Sequence, residues 1–120
     1  MDGVAGGFAA EDMETFDRER FRKSVLESEI PSLVTFCAKW CKSCSLIRPV
    51  VKEISEKYEG RMHVFEVDAE SSPETASEQG VLSVPTLILY VGGKAVMRLV
   101  GFSSRKDIED KLGKELEQRV

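Results

Sequence analysis

The chain has 120 residues, 42% of them hydrophobic and 32% charged, with a formal net charge of −4 and a pI near 5.1. That suffices for one domain with an ordinary core, and the acidic balance excludes the basic footprint of a nucleic-acid binder. No apolar run reaches the roughly 18 residues a membrane span needs, and Met1 to Asp12 lack the basic and apolar regions of a secretory signal.

Residues 1–11 are rich in Gly and Ala and are expected to form a flexible tail ahead of a single domain over 12–120. Met13 to Phe16 reads as a short first strand. Asp17 is placed to cap a helix running to about Ser28, with Phe21, Val25 and Leu26 inward, and Pro31 ends that segment. Residues 32–37 are almost continuously apolar, as in a central strand covered on both faces. Leu46, Ile47, Val50, Val51, Ile54 and Tyr58 then recur at helical spacing. They give a helix from about Cys41 to Tyr58, kinked at Pro49 and closed by Gly60.

Met62 to Val67 is the next strand. Ser72, Pro73 and Gly80 fit an N-cap, a first-turn proline and a stop, so a short helix lies between them. After Val84-Pro85-Thr86, the strands Leu87 to Val91 and Lys94 to Val100 fold back on each other about Gly92-Gly93. Ser104 caps a last helix with Ile108, Leu112 and Leu116 inward. A β-α-β half followed by a hairpin and a helix gives an α/β fold, a mixed sheet with helices on both faces.

The chemistry lies in Trp40-Cys41-Lys42-Ser43-Cys44, where an apolar strand passes into a helix. Cys41 stands at the helix entry, where unpaired N–H groups and the helix dipole favour a negative sulfur, and Lys42 and Lys39 add positive charge. Cys41 is therefore expected to be solvent-facing and to act as the nucleophile, with Cys44 one turn in, more buried, and resolving the mixed disulfide. Half of a zinc site looks the same, but zinc takes four ligands, and only Cys37 and His63 are left to supply the rest. The spacing of Cys37, Cys41 and Cys44 also matches a cluster-binding motif whose enzymes need a far larger barrel. A purely structural disulfide would close a very small loop, which stabilises least. Three cysteines do not make a disulfide framework, so a reducing cytosol is the default compartment.

From about Met13 to Leu116 the chain closely resembles the thioredoxin family. The resemblance rests on Trp40-Cys41-x-x-Cys44, Pro49, Val84-Pro85-Thr86, Gly92-Gly93 and Val100-Gly101, in order and at family spacing. It implies the thioredoxin fold, with a central sheet of four to five strands and about four helices. It also implies thiol–disulfide exchange on protein disulfides through Cys41 and Cys44. Pro85 matches the family's cis-proline. Trp40, Val84, Pro85 and Gly101 would form an apolar docking rim, and a backbone edge at Val84 would pair with an extended substrate. No bound cofactor is implied beyond the redox-active Cys41–Cys44 disulfide. A flavin-containing, NADPH-dependent thioredoxin reductase would return the electrons. Gly92-Gly93 fits a hairpin, and no Gly-rich phosphate loop is present.

Four departures stand out. Lys42-Ser43 replaces the commoner Gly-Pro, which favours the reduced form and points to a more oxidising couple than in a typical member. Thr35 stands where the family often has a buried aspartate, and Glu66, where lysine is frequent, is the candidate to take over proton transfer. Cys37 replaces an aromatic residue and reads as a small buried hydrophobe. Ser45 replaces a frequent basic residue. His63, the lone histidine, lies away from the motif and reads as structural. The expected protein is thus a cytoplasmic, monomeric protein-disulfide reductase without nucleic-acid or membrane partners. The alternatives are an oxidase or isomerase of the same fold and an interaction module without redox turnover.

Overall fold

Alternation along two strands builds both layers of the domain. In β1 (Ser32–Cys37), Leu33 joins one apolar cluster while Val34 and Phe36 join another. In β3 (Thr86–Val91), Leu87 and Leu89 face the first cluster, and Ile88 and Tyr90 the second. Side chains two apart share a face, so each of these strands is apolar on both sides. The computed structural model describes residues 13–118, and the tail expected over 1–11 lies outside them.

β1 pairs in parallel with β2 (His63–Asp68) and antiparallel with β3, which pairs antiparallel with β4 (Lys94–Val100). The order is β2-β1-β3-β4, so β1 is central, as its apolar run requires. Helix α2 (Lys42–Lys57) and the C-terminal helix Arg105–Gln118 cover one face through Ile47, Val51, Ile54, Ile108 and Leu112. The other face packs on Phe16, Phe21, Val25 and Ala76 from the N-terminal segment and the short helix Pro73–Glu78. Each fully buried side chain of this kind contributes about 1.5–3 kcal/mol.

Two expectations for the N-terminal segment are corrected. Met13 to Phe16 makes a single bridge, Glu14 to Val67, instead of a strand, so the sheet has four strands among the described residues. Side chains claim the backbone just beyond the bridge: Ser72 Oγ accepts the Phe16 N–H at 2.9 Å and Thr75 Oγ1 donates to the Phe16 carbonyl at 2.6 Å. Ser72 consequently stands at the head of its helix without capping it. The helix after Asp17 is a short α turn, α1 (Arg18–Phe21), that widens into a π turn over Arg22–Leu26. Asp17 does cap it, accepting the Arg20 N–H at 2.8 Å.

The remaining elements lie within two residues of their expected positions. Ser104 Oγ accepts the Asp107 N–H at 3.1 Å and caps the last helix. Gly93, in the hairpin turn, has φ +82°, and a Cβ there would stand 2.8 Å from the Leu26 carbonyl oxygen.

Candidate active site

β1 ends at Cys37 and the chain turns through Ala38 into α2. Cys41 occupies the N-cap with extended backbone (φ −83°, ψ 117°), and its Sγ accepts the Cys44 N–H at 3.2 Å. A sulfur in the N-cap acceptor position takes up one of the helix's unpaired donors, an arrangement that strengthens as the sulfur becomes negative. The Cys41 thiol also points at the Val84 carbonyl, 3.7 Å away. Cys41 is 8% exposed and Cys44 1%. The expected order of burial holds, but Cys41 is not solvent-facing. Its sulfur folds back over the first turn of α2 and is covered by Val84, which packs on the cluster of Met13, Cys37, Ala38, Cys41 and Cys44.

All three cysteines are free thiols. The Cys44 thiol is pushed up to about 11, first by burial and then by its hydrogen bond with Cys41, while the Ala38 backbone and the Cys37 side chain pull the other way. Burial pushes Cys37 far above the ordinary thiol range. Cys37 therefore keeps its proton where an ordinary thiol begins to lose it.

Around the sulfurs, the Val84–Pro85 peptide bond is cis and the Gly101 N–H donates to the Pro85 carbonyl at 2.8 Å. That bond ties the loop after β4 to the loop before β3. Trp40 is 68% exposed, and its Nε1–H donates to Glu70 at 2.6 Å, which orients the ring. Lys42 and Ser43 are exposed in the first turn of α2. Leu82, 97% exposed, and Phe102, 52% exposed, adjoin Val84 and Gly101 in sequence and add apolar surface on those two loops.

Behind the cysteines, Thr35 and Glu66 stand in register across β1 and β2. Glu66 is buried and forms an ion pair with Arg48, Nε to Oε2 2.7 Å, with side chains 3% and 8% exposed. Arg48 was not foreseen as a site residue. It lies four positions after Cys44 on the inward face of α2, and that helical spacing, facing a buried acidic position on β2, was the available signal. His63 pairs with Ser32 at the far end of β1, its ring against Phe65 at 5.7 Å, remote from the cysteines. Among the described residues no cluster of three or more His, Cys, Asp or Glu could hold a metal ion.

The family model for Thioredoxin matches residues 12–114. The chain belongs to the thioredoxin family. It is 42% identical to a thioredoxin of Synechocystis over 96 residues, covering 80% of this chain and 90% of that protein. It is 40% identical over 96 residues to thioredoxin 1 of Nostoc, with the same coverage. Against the chloroplastic thioredoxin M4 of Arabidopsis thaliana it is 33% identical over 101 residues, 84% of this chain and 52% of that one. With its paired thiols at a helix entry, this family member is a thiol–disulfide oxidoreductase. No helix among the described residues is long and apolar enough to cross a membrane.

Proposed function

We propose that this chain works as a reductase of protein disulfides, with Cys41 as nucleophile and Cys44 as resolving thiol. Cys41 thiolate attacks one sulfur of the substrate disulfide, forming a mixed disulfide and releasing the substrate's other sulfur as a thiolate. Cys44 then attacks Cys41, the bond to substrate breaks, and Cys41–Cys44 is left as the disulfide. The observation that carries the reading is the Cys44 N–H held 3.2 Å from Cys41 Sγ, with Cys44 itself beneath that sulfur.

Trp40, Val84, Pro85 and Gly101 form the docking rim in this reading. Lys42 and Ser43 shape the turn. Glu66, paired with Arg48, is the acceptor for the proton that Cys44 gives up, and its replacement by glutamine slows resolution. Electrons return from a reductase of the thioredoxin-reductase type. The protein acts as a cytoplasmic monomer, with no resident cofactor beyond its own disulfide.

The test is mixed-disulfide trapping with Cys44→Ser, alongside insulin reduction by the unaltered protein. The variant should hold protein partners through Cys41 that the unaltered protein releases. Absence of both trapping and insulin reduction would overturn the reading.

A further inference from the structure

Thr35 offers no titratable group beside the resolving thiol, yet the pocket around Cys44 is not empty of donors. β1 points Leu33, Thr35 and Cys37 to the same face, the one α2 covers. Cys37 is thus carried to the first turn of α2, where it packs with Cys44 in one buried cluster. A thiol has one proton to give. Cys37 is 0% exposed and Cys44 1%, so water does not compete for that proton.

We propose that the Cys37 thiol is a working part of the exchange reaction: it donates its S–H to the Cys44 sulfur and stabilises the thiolate that attacks the mixed disulfide. The proposal rests on Cys44 being the resolving thiol. Direction follows from chemistry. Burial holds Cys37 protonated, so it serves as donor and not as a competing nucleophile.

The groups acting on this pair are few. Cys41 and the Ala38 backbone act on Cys44. Glu66 opposes a charge on Cys37 and Arg48 favours one. Asp68 stands in register with Cys37, its Oδ1 engaged by the Glu70 N–H. In the step itself, Cys44 gives its proton to the Glu66 carboxylate, forms the bond to Cys41 and expels the substrate sulfur, which leaves as a thiolate and takes a proton from solvent. The Cys37 proton stays on Cys37 throughout, and the two electrons pass from the Cys41–Cys44 pair to the substrate disulfide.

The experiment is single-turnover reaction of the full-length reduced chain with an aromatic disulfide that releases a coloured thiolate. Attack by Cys41 releases the first equivalent and resolution by Cys44 the second. Cys37→Ala should leave the first phase unchanged. It should slow the second about tenfold near neutral pH and move the inflection of its pH profile up by about one unit, the low end for a bond to a charged acceptor because S–H is a weak donor. Cys37→Ser, which keeps a donor, should recover most of the second phase. A second phase in Cys37→Ala with unaltered rate and inflection would overturn the proposal alone. Absence of the first phase in the unaltered protein would instead overturn the reading on which it rests. Should Cys37→Ala fail to fold, the Raman S–H band of Cys37 in a Cys41→Ala chain decides. It should move to lower frequency as Cys44 ionises, and an unmoved band overturns the proposal.

Discussion

Replacing Arg48 by methionine probes the buried pair behind the active site. Met keeps much of the aliphatic bulk and removes the guanidinium that lies 2.7 Å from Glu66. With the two side chains only 8% and 3% exposed, water cannot enter to replace that counter-charge. Removing one partner of such a pair costs about 3–5 kcal/mol. A domain of this size holds about 5–15 kcal/mol in all, so about a fifth or more of its stability should go. At about 4 °C per kcal/mol, the thermal midpoint should fall by roughly 12–20 °C. Urea unfolding and thermal melts followed by circular dichroism at pH 7 measure both. The double variant Arg48→Met with Glu66→Leu should return to within about 1 kcal/mol of the original, since an apolar pair of similar volume carries no desolvation cost. A loss below about 1 kcal/mol in the single variant, or no recovery in the double, would refute the reasoning that the pair is dry and mutually dependent.

Other outcomes follow from single contacts. Gly93→Ala should cost clearly more in urea unfolding than Gly92→Ala: both have positive φ, but only at Gly93 would the new Cβ meet backbone, the Leu26 oxygen at 2.8 Å. Ser72→Ala strands the Phe16 N–H and should cost about 1–3 kcal/mol, seen as a lower urea midpoint with unchanged slope. Burial raises the Cys44 thiol to about 11 and Cys37 further, so both contribute stability that is full below the ordinary thiol range and is lost as pH rises through it. Urea midpoints between pH 7 and 10.5 should therefore fall more steeply for the dithiol form than for the disulfide form, where Cys44 has no proton to lose. Equilibration with glutathione buffers should give a potential less negative than the about −270 mV typical of thioredoxin, through Lys42 in place of glycine. A value at or below that figure would remove Lys42 as an oxidising influence.

What could be read in advance was whatever leaves a local mark. The near-continuous apolar runs of β1 and β3, the capping residues Asp17 and Ser104, the paired glycines of the hairpin and the Trp40-Cys41-x-x-Cys44 motif all announce themselves within a few residues. The π turn left no such mark, because α and π turns bury Phe21 and Val25 from the same residue types. Ser72 looked like a helix cap, yet its hydroxyl is taken by a backbone 56 positions away. The ion pair is half visible in the sequence: Glu66 stands out as an unusual charge, but its partner sits 18 positions earlier, and only the stacking of α2 on β1 and β2 brings the two together. The cover over Cys41 was hidden for the same reason, since Val84 reaches it from 43 positions away.

The lone bridge at Glu14 has a consequence for how copies of this molecule treat one another. β2 is a border strand, and its outward peptide groups would otherwise accept a foreign strand. The Glu14 backbone already takes the Glu66 carbonyl and the Asp68 N–H, at 3.1 and 2.8 Å, at the end of β2 nearest the cysteines. Fastened by Ser72 and Thr75, that short stretch acts as a selvedge on the sheet. It keeps the thiol end of the molecule from being stitched to a neighbour and leaves it open to partners that arrive with a disulfide.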